Sequence, residues 1–246
     1  IVLSLRWHTP QRSPTFILDG QILSWIESDR GESMDSGIEG VMIAIVDYQM
    51  GNLRSVQRAF LRAGYESIVT DEPRLLAEAD KVILPGVGAF ADAMQQLRER
   101  ELIEPLQTVA NSGTPLLGIC LGLQLLFDKS YENGSHSGLG IIPGEVVPFQ
   151  NLPADCKIPH MGWNQLERRK SCPLFDGIAS EAYFYFVHSY YVEPEKKDIV
   201  TTETDYSGHF VSMISRDNIF ATQFHPEKSQ QPGLQMLRNF AALPSL

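Results

Sequence analysis

"PLLGICLGLQLLF", residues 115–127, is the stretch from which the fold is read. One apolar run, "PLLGI", passes straight into another, "LGLQLLF", with a cysteine framed by glycines at the junction. "GICLG" (118–122) has the form G-x-C-x-G where a buried strand gives way to a helix. Small residues two before and two after the cysteine let strand and helix close around a tight turn. The middle residue then projects from the carboxyl edge of a sheet, the geometry of a nucleophile elbow. The backbone N–H of Leu121 would face a substrate carbonyl as half of an oxyanion hole. The same residues also suit a core strand, in which a free cysteine is a small hydrophobe. A helix N-terminus favours a thiolate but supplies no base, and acyl transfer needs one. The motif alone leaves both readings open, and a histidine has to decide between them.

Outward from this stretch, strands and helices alternate. "MIAIVD" (42–47), "YESIVT" (65–70) and "KVILPG" (81–86) read as strands. "NLRSVQRAFLRAG" (52–64) reads as a helix, capped by Asn52 and closed by Gly64. "PRLLAEA" (73–79) is helical, and 91–113 is helical with a break expected near Pro105. This succession predicts an α/β fold, an open, mostly parallel, doubly wound sheet with the elbow at its edge. The second half is richer in strands: "GEVVPF", "AYFYFVHSYYV", "IVTTET", and "FVSMISRDNIFATQF" with a turn at "RDN". These predict a smaller antiparallel region, and "PGLQMLRNFAAL" (232–243) a final helix. Residues 1–41 show no sustained period and end in a Gly/Ser/Asp/Glu-rich stretch resembling a linker. They are expected to be a flexible extension or a start-site artefact, with the domain spanning 42–246.

The chain of 246 residues, 43% hydrophobic and 20% charged, has the composition of an ordinary globular protein. A net charge of −10 argues against partnership with nucleic acid or an anionic membrane. No apolar run approaches the ~18 residues that a membrane span needs. Cys120, Cys156 and Cys172 form no C-x-x-C pair and are odd in number, which fits a reducing cytoplasm better than a disulfide framework. No set of histidines and cysteines has zinc-ligand spacing, so no metal is expected.

The base is sought in "FATQFHPEKS" (220–229). Proline holds the residue before it extended, so His225 should end a strand. Residues two apart in an extended segment face one side, which lets Glu227 hold one ring nitrogen and turn the other to the thiol. His8 falls in the leader, His136 in a Ser/Gly loop, and His209 in an exposed position. The pairing of His225 and Glu227 with the elbow tips Cys120 towards a nucleophile.

"GICLGLQLLF" and "FHPEKS", with "DYQMGNLRSV", "LPGVGAFADAM", "IPHMGWN" and "YFYFVHSYY", resemble the class I (triad) glutamine amidotransferases. The resemblance is closest to the glutaminase subunits of imidazole glycerol phosphate synthase. It implies a flavodoxin-like fold and glutamine hydrolysis by a triad of Cys120, His225 and Glu227, without a cofactor. "PGVG" would supply the second oxyanion donor near Gly86, Val87 and Gly88. Gln124, alone on an apolar stretch, and "VHSYY", through His188, Ser189 and Tyr190, would hold the substrate. The resemblance also implies delivery of ammonia to a (β/α)8-barrel cyclase. A barrel takes ~250 residues of its own, so a separate subunit and a heterodimer are expected. His160, Met161 and Trp163 would face it, with Asn52, Tyr185 and Lys228 nearby. A glutaminase serving anthranilate or GMP synthesis, or a non-catalytic regulatory domain, are the other readings. One departure is visible: the first segment usually has glycine where this chain has Gln49.

Overall fold

The computed structural model describes residues 41–150, 153 and 156–244. The expected extension lies outside the described residues, apart from Val41. Strand β1 (Ile43–Val46) is buried at all four positions, as are β3 (Lys81–Gly86) and β4 (Leu116–Cys120). They lack alternation because helices cover both faces of a parallel sheet. Between them run α1 (Leu53–Ala63), β2 (Ser67–Thr70), α2 (Pro73–Glu78), α3 (Phe90–Glu99) and α4 (Ile103–Ser112). Helix α1 buries Val56, Ala59, Phe60 and Ala63, a single helical face. The Asn52 side chain accepts the Ser55 N–H, and Gly64 closes the helix in the left-handed conformation at φ 97°.

Two boundaries differ from the sequence expectation. The break in 91–113 falls at residues 100–102, where Glu101 takes φ 56°, and not at Pro105. Pro105 sits in the first turn of α4, where its missing N–H has no intrahelical partner to lose. The elbow helix α5 is only Leu121–Leu125, because Phe127 already opens strand β5 (Phe127–Ser130).

Strands β6 (His136–Ser137), β7 (Ile142–Pro148), β8 (His160–Gln165) and β9 (Glu167–Arg168) follow. After them come β10 (Tyr183–His188), β11 (Tyr190–Pro194), β12 (Val200–Asp205), β13 (His209–Arg216), β14 (Ile219–Thr222) and helix α6 (Gln230–Ala241). The main sheet runs β2-β1-β3-β4-β14-β13-β11-β7-β5-β6, with β12 on β13 and β9 on β12. From β2 to β14 it is parallel, and from β14 to β7 antiparallel. The expected antiparallel region is therefore partly a continuation of the central sheet. A separate antiparallel pair, β8 with β10, pairs Trp163 with Tyr185 and His160 with His188. Thus "AYFYFVHSYYV" is two strands in two sheets, parted at Ser189. "PHMGWN" is mostly strand.

Candidate active site

Three neighbouring parallel strands end at one edge of the sheet. Gly86 of β3 lies opposite Cys120 of β4, and Thr222 of β14 lies opposite Ile119. The chain leaving β3, the turn after β4 and the chain leaving β14 therefore converge where open α/β sheets bind ligands. Cys120 sits at φ 56°, ψ −108°, a conformation a β-carbon makes costly by about 1–3 kcal/mol. The glycine frame makes that turn possible. A β-carbon on Gly122 would overlap the Leu84 carbonyl oxygen, and one on Gly118 would lie 3.0 Å from the Gly122 carbonyl carbon. Helix α5 has little more than one turn, so its dipole offers the sulfur limited help.

His225 is extended at φ −102°, as Pro226 requires. Residues Pro226–Lys228 then form a 3₁₀ turn rather than continuing the strand. Glu227 reaches its partner from that turn, not from an extended segment. His225 Nδ1–H donates to Glu227 Oε1 at 2.8 Å, with both side chains 2% exposed. This bond fixes the tautomer and leaves Nε2 for the cavity, where it is buried without a hydrogen-bond partner. Burial pushes the imidazole down. The Cys120 thiolate and the Glu227 carboxylate outweigh burial and push it up to about 10. Tyr48 donates its hydroxyl to the Pro85 carbonyl at 2.7 Å. Burial first, and then the Cys120 charge, hold that phenol well above its usual range.

A cavity of about 310 Å³ opens over the thiol. Cys120, His225, Leu121, Val87, Gly88, Gln124, His188, Ser189 and Tyr190 all line it. Gly86 does not; it lies beneath, where a β-carbon would meet the Tyr48 hydroxyl and Leu121. Gln124 Nε2 donates to the Tyr190 carbonyl and to Gln223 Oε1, each at 3.1 Å. Its oxygen is the end left for a ligand. His188 has both ring nitrogens engaged. Its Nδ1–H donates to the Tyr190 carbonyl at 2.9 Å, so its Nε2 accepts from His160 Nδ1–H at 3.0 Å. Burial pushes His188 to about 3 and His160 to about 4, so both are neutral in this arrangement.

Two residues escaped the sequence reading. Glu132, in the loop after β5, borders the cavity and accepts the Phe90 N–H at 2.6 Å. Gln223 is wholly buried and brings its side-chain nitrogen to 3.6 Å from Cys120 Sγ. Among the described residues, no group of His, Cys, Asp and Glu could hold a metal, and no helix is long and apolar enough to cross a membrane.

The candidate partner face divides by strand parity. Alternate residues of β8 point to opposite sides, so Met161 (63% exposed) and Trp163 (46%) face out. His160 faces in, buried at 4% and stacked on Tyr206 at 4.0 Å between ring centroids. That corrects its assignment to the surface. Trp163 meets Tyr185 edge-on at 5.8 Å, and Lys228 Nζ lies 5.9 Å from the same tyrosine ring. Asn52 is exposed and has its side-chain oxygen on the cap of α1.

Comparison with known proteins shows the family and the fold. The family described as "Glutamine amidotransferase class-I" matches residues 44–243. An "Imidazole glycerol phosphate synthase subunit HisH" from Syntrophotalea carbinolica is 54% identical over 203 residues, 81% of this chain and 98% of that protein. One of the same name from Desulfitobacterium hafniense is 53% identical over 199 residues, 81% of this chain and 93% of its own. In fold, the chain resembles one in the structure of PurLQS from Thermotoga maritima, with a TM-score of 0.65 at 17% identity over 82% of this chain and 97% of that one. The chain belongs to the class-I glutamine amidotransferases and, among them, to the family of the HisH subunits of imidazole glycerol phosphate synthase.

Proposed function

We propose that this chain is the glutaminase subunit of an imidazole glycerol phosphate synthase, acting in histidine biosynthesis. Cys120, as the thiolate, adds to the side-chain amide carbon of glutamine, and the carbonyl electron pair moves onto oxygen. The backbone N–H groups of Leu121 and of the Val87–Gly88 segment stabilise that oxyanion. His225 gives its Nε2 proton to the departing nitrogen, ammonia leaves, and a γ-glutamyl thioester remains. Water then adds with loss of a proton to His225, the thiolate departs, and glutamate is released. Glu227 keeps hold of the Nδ1 proton throughout, so that Nε2 is the nitrogen that gives the proton in the first step and takes one in the second. Two acceptors, Gln124 Oε1 and the Glu132 carboxylate, suit the substrate's ammonium group. The His188 ring is spent on neighbours, so its segment serves through its backbone and Ser189 and Tyr190.

The observation that carries this reading is the His225 ring: one nitrogen pinned by a buried carboxylate, the other buried, unpartnered and on the thiol's cavity. Ammonia passes to a separate (β/α)8-barrel cyclase on the face of Met161, Trp163, Tyr185 and Lys228, with Asn52 at its margin, in a reducing cytoplasm that keeps the thiol free. Cys120→Ala is expected to abolish glutamine-dependent synthesis in the reconstituted pair while ammonium salts still support it. Retained glutamine hydrolysis by that variant would sink the mechanism.

A further inference from the structure

Gln223 touches the reacting sulfur, yet the mechanism above gives it no task. It follows β14, and its backbone N–H donates to the Ser212 carbonyl at 2.8 Å. Its side-chain nitrogen lies 3.6 Å from Cys120 Sγ, and its oxygen lies 3.1 Å from Gln124 Nε2. The two ends of an amide can be exchanged by a flip, so the end that meets sulfur has to be argued from its neighbours.

The Tyr190 carbonyl settles the orientation. A carbonyl only accepts, and it lies 3.1 Å from the Gln124 side-chain nitrogen. Gln124 therefore presents its NH₂ on that side. The second hydrogen of the same nitrogen is directed at Gln223, which has to answer with its oxygen. Gln223 is then obliged to turn its NH₂ to the sulfur. The polarity of the whole chain, from Tyr190 carbonyl through Gln124 and Gln223 to Cys120, is set at the end remote from the thiol.

A donor held against sulfur discriminates between its two states. Hydrogen bonds to an ionised acceptor are roughly twice as strong as neutral ones, so an N–H fixed there favours the thiolate. The short helix α5 leaves room for such a contribution. We infer that Gln223 is a further catalytic residue, whose side-chain N–H stabilises the Cys120 thiolate in an orientation imposed by Gln124 and the Tyr190 carbonyl. This rests on the nucleophilic role proposed for Cys120. The other titratable groups facing the thiol are His225 backed by Glu227, Tyr48, His188 and, across the cavity, Glu132. Replacing the amide by methionine adds no charge among them, whereas glutamate adds one carboxylate.

The test uses the full chain, iodoacetamide and peptide-resolved mass spectrometry, comparing the alkylation rate of Cys120 at about pH 7 with that at about pH 10. Cys156, which is only half-buried, serves as the reference in the same molecule. In Gln223→Met the ratio of the two rates at Cys120 is expected to fall about tenfold or more, the equivalent of a hydrogen bond to a charged group. Gln223→Glu still accepts from Gln124 but turns an acceptor to the sulfur, so the fall is larger. The ratio at Cys156 stays unchanged in both variants. An unchanged Cys120 ratio in either folded variant overturns the inference. Loss of the fold in both variants overturns it too, by making Gln223 a residue of the core. Alkylation needs no glutamine turnover, so the outcomes separate. A wild type inactive on glutamine in the reconstituted pair whose ratio still falls on substitution discredits the proposed reaction and keeps only the stabilisation of the thiolate by Gln223. An active wild type whose ratio does not fall does the reverse.

Discussion

His225 is buried, yet its imidazole is held above its ordinary value because the Cys120 thiolate and the Glu227 carboxylate prevail over desolvation. A folded value above the unfolded one means that protonated His225 favours the folded state. Its contribution is complete below about pH 6.5 and is lost as pH rises through about 10. Cys120→Ala removes the leading raising causes, so the imidazole is expected to titrate lower and its stabilisation to fade at lower pH. Imidazole carbon shifts followed by NMR, with thermal melts over the same range, measure both effects. An unmoved titration would mean that thiol and imidazole are not coupled. At this scale the sequence was informative wherever a residue type is tied to a backbone need. Glycines two either side of Cys120 and the proline after His225 are such cases. Gln223 and Glu132 had no such marker, since one reads as an ordinary strand residue and the other as a loop carboxylate. Gln49, where the resemblance leads one to expect glycine, adopts φ 65°, a conformation in which a side chain costs backbone strain.

The turn that carries His225 and Glu227 is stitched to β10. Ser229 Oγ donates to the His225 carbonyl at 2.6 Å and accepts the Tyr185 N–H at 3.0 Å. The His225 N–H donates in turn to the Tyr185 carbonyl at 2.9 Å. Ser229 is fully buried, so removing its hydroxyl leaves a buried carbonyl and a buried N–H without these partners. Ser229→Ala is expected to cost about 1–3 kcal/mol in urea unfolding, and to lower kcat for glutamine more than it raises KM. Ser229→Thr, which keeps the hydroxyl, should recover part of both. A full-activity alanine variant would show that the turn positions His225 unaided. The parallel half of the fold was legible at this scale because buried strands and capped helices alternate with clear boundaries. The errors have local causes: Pro105 is harmless in a first turn, and the apolar character of 182–192 runs unbroken through Ser189, where the chain changes sheets.

The outer face of the small β8–β10 sheet is the surface proposed for the partner. Met161 and Trp163 are exposed while the alternate side of the same strand is packed in an aromatic cluster with His160, Phe186 and Phe210. Tyr185 lies under Trp163 and Lys228, and its backbone bonds to His225, so the face proposed for the cyclase backs directly onto the edge proposed for catalysis. The sidedness of this segment was not legible: only pairing to β10 makes it a strand and turns His160 inward. Trp163 is half-exposed in the free chain, so Trp163→Ala should leave the melting temperature of the isolated subunit nearly unchanged. Its large aromatic surface is of the kind that anchors interfaces, where truncation typically costs about 2 kcal/mol or more. The affinity for the cyclase should therefore fall by about thirtyfold or more, as read by calorimetry or sedimentation velocity. Wild-type affinity in Trp163→Ala, with the fold intact, would place the docking surface elsewhere on the molecule.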